Sequence, residues 1–298
     1  MRQIVECVPN FSEGRRREVI DQILAAMAQV PGAQVLDVQS DPDHNRSVVT
    51  IIGTPQAASE AAFQGVACAA RRIDMEHHRG GHPRMGATDV IPFVPVRGVA
   101  MEDCVTLARQ LGQRVGQELG IPVYLYEEAA TRPDRRNLAD VRRGEYEGLK
   151  KEIATNPDRV PDFGPAVMGT AGATAIGARP SLVAFNVYLN TDDVSPAKAI
   201  AKAVRHSSGG LCFVKALGLV VEGQAQVSMN LTDYHQTPMH RVLELIRAEA
   251  AYYGLTVTHS EVVGLLPAEA LLNAAQFYLQ LRGFSPDQVL EDRLAEEE

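Results

Sequence analysis

The chain of 298 residues is long enough for about two domains, each able to bury its own core. Its 45% hydrophobic and 22% charged residues exclude a stapled mini-protein, a fibre and wholesale disorder. Lys+Arg of 29 against Asp+Glu of 37 gives a formal net charge of −8, the wrong sign for non-specific nucleic-acid binding, so an anionic ligand must be held by a local cluster of Arg, His or backbone N–H groups.

In chain order, Gln3 to Pro9 reads as a short strand. Arg16 to Val30 reads as an amphipathic helix with Val19, Ile20, Ile23, Leu24 and Met27 on one face. After Pro31-Gly32, the β-branched runs Val35–Val38 and Ser47–Ile52 read as adjacent strands around the polar turn Asp41-Pro42-Asp43-His44-Asn45. Thr54-Pro55 opens a helix, Thr as cap and Pro in the first turn, that runs to about Ile73. A loop and a strand at Asp89–Pro95 complete a β-α-β-β-α-β order, followed by a helix from about Met101 to Leu119 and a strand at Val123–Tyr126.

The second half repeats that order with strands at Leu182–Leu189, Leu211–Val221, Gln226–Leu231 and Thr256–Val263, and helices at Pro196–His206 and Met239–Tyr253. A β-α-β-β-α-β unit folds most simply with its helices on one face of an antiparallel sheet. The expected fold is therefore α+β, two ferredoxin-like βαββαβ subdomains spanning residues 1–178 and 179–298. Between the two repeats, about Thr131 to Gly164 is polar and punctuated by Pro133, Pro157 and Pro161; with a helix from Asn137 to Ile153 it reads as a structured connector.

The amino terminus carries Glu6 and then Pro9 where an export signal needs unbroken apolar sequence. The most apolar run, Leu211–Val221, contains Lys215 and Gly218 and is about half of the ~20 residues that span a bilayer. Cys7, Cys68, Cys104 and Cys212 lie far apart, without zinc-site spacing, and read as buried free thiols in a reducing compartment. A cytoplasmic protein with no membrane span is expected. The acidic end, with Glu291, Asp292 and Glu296 to Glu298, reads as solvated and frayed.

Chemistry concentrates in a few constellations. The densest is His77-His78-Arg79-Gly80-Gly81-His82-Pro83-Arg84-Met85-Gly86. Its glycines admit close approach of backbone to a ligand, Pro83 keeps His82 extended, and Arg79 and Arg84 can grip carboxylates. A metal pair from His78 and His82 would need a helix that Gly80, Gly81 and Pro83 break, so acid–base chemistry is preferred over metal binding; a solvated cationic loop is the plainer alternative. Asp41-Pro42-Asp43-His44-Asn45-Arg46 can orient a histidine or can be ordinary turn chemistry. The small-residue stretch from Gly164 to Arg179 lacks the phosphate-loop order; it can lay backbone groups along a flat ligand such as a pterin, or serve as a hinge. Within Cys7-Val8-Pro9-Asn10-Phe11-Ser12-Glu13-Gly14-Arg15, Ser12 reads as a helix cap, with Asn10 and Phe11 as alternatives facing a cleft.

Several long strings together resemble the formiminotransferase family, the folate-dependent glutamate formimidoyltransferases. They are Val5 to Gly14 (VECVPNFSEG), His82 to Ala87 (HPRMGA), Pro92 to Val99 (PFVPVRGV), Val123 to Glu127 (VYLYE), Gly144 to Glu147 (GEYE), Pro161 to Pro165 (PDFGP) and Gly172 to Arg179 (GATAIGAR), in order over essentially the whole chain. Larger bifunctional members carry a cyclodeaminase domain, so the resemblance implies a stand-alone transferase. It implies movement of a formimino group between N-formimidoyl-L-glutamate and N5 of tetrahydrofolate, in histidine degradation and one-carbon metabolism. The family's catalytic histidine corresponds to His82. Its folate-contacting segment corresponds to Phe163, Gly164, Pro165, Ala166, Val167, Met168, Gly169, Thr170, Ala171, Gly172, Ala173, Thr174, Ala175, Ile176 and Gly177. Tetrahydrofolate is then a co-substrate, with no metal, and the other partners are small molecules and a second copy of the chain in a homodimer.

Where some relatives carry an acid after Asp37-Val38, this chain has Gln39, so a needed carboxylate falls to Asp37 or Asp41 and no catalytic Asp is assigned. Arg79, Arg84 and Arg46 are the candidates for substrate carboxylates. A formyl donor, N-formylglutamate, would use the same site residues, and a non-catalytic folate-binding module would use the same fold.

Overall fold

In the computed structural model, which describes residues 3–295, the chain divides into two compact units, Met1–Pro180 and Ser181–Glu298. In the first unit, β1 (Ile4–Cys7) and β2 (Asn10–Phe11) form one broken strand between β4 and β5. The break falls at Val8-Pro9, where Pro9 has no N–H for a ladder; Val8 N donates to Pro92 O (3.1 Å) and Val49 N to Pro9 O (3.0 Å), which carries the pairing across. There follow α1 (Arg17–Ala28), β3 (Ala33–Asp41), β4 (Arg46–Gly53), α2 (Pro55–Arg72) and β5 (Thr88–Arg97). The sheet order β3, β4, β1/β2, β5 is antiparallel throughout, as a ferredoxin-like unit requires.

Thr54 caps α2, its hydroxyl accepting from Ala57 N at 3.3 Å, with Pro55 at the first helical position. Ala58, Ala61, Ala62 and Ala69 recur on the buried face of α2 at helical spacing. Together with Ile23 and Met27 of α1, Ile51 of β4 and Phe93 of β5 they form one continuous core.

Beyond this unit come α3 (Met101–Glu118), β6 (Val123–Glu127), α4 (Leu138–Val141), α5 (Glu145–Glu152) and β7 (Thr174–Ala178). Here the sheet departs from all-antiparallel pairing: β7 inserts between β5 and β6 and runs parallel to both. The crossover through α3 makes β6 parallel to β5, and β7 fills the gap left between them. The far end of the small-residue stretch is thus a central strand rather than a loop or hinge. Every residue of β7 is buried, so it shows no alternation for periodicity to detect. The connector helix also arrives in two pieces, because Gly144 takes a left-handed conformation (φ 82°) between α4 and α5.

The second unit holds β8 (Val183–Leu189), α6 (Val194–Val204), β9 (Val214–Val221), β10 (Gln224–Leu231), α7 (Met239–Tyr252) and β11 (Val257–Val263). Its sheet, β11-β8-β10-β9, is wholly antiparallel, and Val187, Val227, Ile200 and Ile246 sit in its core. Two further helices, α8 (Ala268–Leu279) and α9 (Leu290–Ala295), follow. Glu291 and Asp292 lie within α9, not in a frayed end; Glu296 to Glu298 lie outside the described residues. Cys7, Cys68 and Cys104 are buried, whereas Cys212 is exposed. Among the described residues, no helix is long and apolar enough to cross a membrane.

Candidate active site around His82

The loop between α2 and β5 folds against the turn between β3 and β4, so two constellations that are separate in sequence meet. Gly81 N donates to Asp43 O (3.1 Å) and Asn45 Nδ2 to Arg79 O (3.0 Å). Only glycine fits at position 80, where a Cβ would stand 2.1 Å from His44 O. His78 is buried; its Nε2 lies 3.0 Å from Asn45 O, and its Nδ1 accepts from Arg84 Nε at 3.3 Å. That pairing fixes a neutral ring with the proton on Nε2, and burial holds its pKa below the ordinary value.

His82 stands over this floor, its ring 5.8 Å from that of His44 in edge-to-face contact, while His44 Nδ1 lies 3.1 Å from Asp41 Oδ2. The Pro83 carbonyl, 2.7 Å from His82 Nδ1, accepts its proton, which leaves Nε2 with a free lone pair. Burial first, then the charges of Arg46 and Arg142, push the imidazole well below its usual value near 6.5; Asp89 and the Pro83 carbonyl oppose this only in part. At neutral pH His82 is an unprotonated base.

Beside it lies a buried charge cluster. Asp89, fully buried at the start of β5, accepts through Oδ2 from Arg46 Nη1 (2.7 Å) and from Arg142 Nη2, and through Oδ1 from Met85 N (3.0 Å). Arg46 also donates through Nη2 to Asn10 Oδ1 (2.9 Å), so Asn10 does face this site. Burial is the largest single influence on the Asp89 carboxyl and raises its pKa, but the charges of Arg142 and Arg46 and the hydrogen bond from Arg46 together outweigh it and hold the pKa below the ordinary value.

The predicted substrate arginines occupy three different settings. Arg46 is buried within the charge cluster. Arg84, also buried, is clamped by Glu145 (2.8 Å), Glu147 (2.7 Å) and His78, so its guanidinium is already engaged by the protein's own groups and ties the loop to α5. Arg79 is exposed and donates to the Glu76 and His78 carbonyls (3.1 and 2.7 Å). His77 is exposed and pairs with Asp74 (2.9 Å). Ser12 is not a helix cap: buried, it donates to Gly86 O (2.7 Å), and Glu13 instead accepts from Arg15 N and Arg16 N (both 2.9 Å) at the start of α1. Asp41 orients His44, whereas Asp37 and Gln39 sit further along β3, opposite Thr50 and Val48.

The small-residue stretch runs alongside the carboxyl end of the His loop. Gly86 and Gly172 form an antiparallel bridge, flanked by Ala87 N to Ala171 O (2.8 Å) and Ala173 N to Met85 O (2.9 Å). Both glycines are required: a Cβ on Gly86 would lie 2.1 Å from Ala173 O, and one on Gly172, which has φ +74°, 2.4 Å from Met85 O. Upstream, Gly164, Pro165, Val167, Gly169 and Thr170 are exposed and have the small, open surface a flat ring needs. Thr174 to Gly177 do not, because their main chain is committed to the β5 and β6 ladders.

Asp89 and Arg142 escaped the sequence reading. A carboxylate opening the apolar run Asp89–Val94 is a signal, since a buried charge demands a partner; nothing local marks Arg142, at the end of the short helix α4, 53 residues further on.

The description "Formiminotransferase domain, N-terminal subdomain" matches residues 4–179, and "Formiminotransferase domain" matches residues 184–292. A "Glutamate formimidoyltransferase" of Thermoplasma acidophilum is 53% identical over 98% of this chain and 97% of that protein. One of Streptococcus pyogenes is 48% identical over 99% of each. A "Formimidoyltransferase-cyclodeaminase" of Mus musculus is 47% identical over 93% of this chain, which spans 53% of that longer protein. Matched along both of its units and about half identical to full-length relatives, this chain belongs to the formiminotransferase domain family.

Proposed function

We propose that the chain is a glutamate formimidoyltransferase, moving a formimino group between N-formimidoyl-L-glutamate and N5 of tetrahydrofolate. The observation that carries this reading is His82: an unprotonated Nε2, in a ring whose tautomer is fixed by Pro83 O, beside two guanidiniums and on a loop whose carboxyl end bridges to the small-residue stretch. The names of the two full-length relatives support the same activity.

The proton inventory explains the histidine. Attack of N5 on the formimino carbon forms a C–N bond as the C=N π pair moves onto the imino nitrogen, and leaves N5 with a proton it must lose. As that π bond re-forms, the bond from the carbon to the glutamate nitrogen breaks, and its electron pair goes to a nitrogen that cannot leave as an anion. His82 Nε2 accepts the N5 proton and delivers one to the departing amine, so it ends the cycle as it began. The depressed pKa keeps the base form populated and makes the imidazolium a strong acid for the second step. Gly164, Pro165, Val167, Gly169 and Thr170 are the exposed part of the folate segment, open to lie against the pterin, and of the three candidate arginines for a substrate carboxylate Arg46 is the one whose charge acts most strongly on His82. With this reading go histidine degradation and one-carbon metabolism, a cytoplasmic location and a homodimer.

The test assays purified protein with tetrahydrofolate and, separately, N-formimidoyl-L-glutamate and N-formyl-L-glutamate, beside His82→Ala. Transfer from the formimino donor, lost in the variant, is the expected result. Activity with the formyl donor alone would change the substrate, and folate binding with neither transfer would leave a non-catalytic module.

A further inference from the structure

The cluster beside His82 is not charge-balanced. Arg46 and Arg142 converge on the same oxygen of Asp89, and the remaining partner of Arg46 is the neutral amide of Asn10. Of the rings nearby, His82 and His78 are neutral, and His44 is paired with Asp41 outside the cluster's hydrogen bonds. Two cations thus face one carboxylate in a site where charge is poorly solvated. Arg142 Nε is buried and has no hydrogen-bond partner among the described residues, which is an unusual state for a guanidinium donor. A buried excess of positive charge with a spare donor costs stability unless an anion completes it.

We infer that Arg142, together with Arg46, binds a carboxylate of the glutamyl substrate, and that Asp89 is the positioning residue that holds the two guanidiniums in register. This rests on the transferase reading above and adds the residue that holds the donor. It also gives the connector a purpose: α4 and the Gly144 break bring Arg142 to the start of β5. A carboxylate seated there receives charge-assisted hydrogen bonds from two planar forks while the free lone pair of His82 stays available. Asp89 also takes Met85 N, so substrate binding and the His loop share one anchor.

The test is binding of L-glutamate, by calorimetry and thermal shift, with and without tetrahydrofolate, to the wild-type protein, Arg142→Met and Arg142→Lys. Glutamate with tetrahydrofolate is a non-reacting pair, so binding is read apart from turnover. Arg142→Met should weaken glutamate binding by about 10-fold or more, with Arg142→Lys between it and wild type. Because the substitution leaves Arg46 and Asp89 paired one to one, the unliganded variant should melt no lower than wild type, and the stabilisation by glutamate should shrink. Undiminished glutamate affinity, or a lower melting temperature with unchanged affinity, would overturn the assignment and leave Arg142 a structural residue. Weakened tetrahydrofolate binding with normal glutamate binding would instead move the carboxylate to the folate tail and overturn the glutamyl assignment. If wild type binds glutamate through Arg142 yet transfers nothing, the transferase reading falls while the carboxylate site stands.

Discussion

The two units share one strand order but bury different things. In the second, the buried polar side chains among the described residues are Asn186, Gln226, Thr237 and His240, all without formal charge as a class of side chain apart from a titratable imidazole held low by burial. The first buries Glu13, Arg46, Arg84, Asp89 and Arg135 under the same kind of sheet. What separates them is the segment from α3 to β7, which widens the first sheet with parallel strands and supplies Arg142, Glu145 and Glu147 to the His82 region. A βαββαβ scaffold can stand on apolar packing alone; buried charge in the first unit therefore points to chemistry rather than to folding.

That contrast can be broken most decisively at His82. His82→Ala should lower kcat by about 10²- to 10⁴-fold with tetrahydrofolate affinity little changed, read by steady-state kinetics and folate titration. Next is Asp89→Ala, which leaves the buried Arg46 and the partly buried Arg142 without their carboxylate and should cost about 3–5 kcal/mol in denaturant unfolding, with loss of activity in the folded fraction. Ile246→Ala in the second core should cost a comparable ~2–5 kcal/mol, yet the folded fraction should keep near-normal kcat. Equal damage to kcat from both would erase the distinction between the units.

Gly172→Ala sharpens the comparison more gently. The positive φ and the close approach of Met85 O predict a loss of about 1–3 kcal/mol and a raised KM for tetrahydrofolate. The smallest effect is on acid stability. His82 and His78 titrate below their unfolded value near 6.5, so the unfolded chain takes up more protons as pH falls; stability is complete above pH 6.5 and declines below it. The depressed Asp89 pKa acts lower: its contribution is present above the ordinary carboxylate range and is lost as pH falls through the folded value. Denaturant midpoints measured from pH 8 to 4 should show the first decline reduced in His82→Asn.

Much of the scaffold was legible because its signals are local. Thr54-Pro55 marks the start of α2 by cap chemistry, and the alternation of Gln224–Leu231 marks β10 by its period. The strand β7 was not, since all five of its residues are buried, leaving no alternation, and Ala175, Gly177 and Ala178 dilute the β propensity of Thr174 and Ile176. The string around His82 singles out a loop, but the reason for its shape lies in Asp43, Asn45 and Gly80, which meet only in the fold. Asp89 carried a signal as a carboxylate opening an apolar run, but its partners did not: Arg46 of β4 and Arg142 just past α4 converge on one of its oxygens only in the fold.

The most direct test of the account is the pH dependence of kcat/KM for formimidoyl transfer in wild type and His82→Asn. The account predicts full activity at pH 6.5 and an acid limb well below it, set by protonation of His82 Nε2, with residual activity in the variant that no longer follows that limb. An acid limb at or above pH 6.5, or one that survives unchanged in His82→Asn, would contradict it.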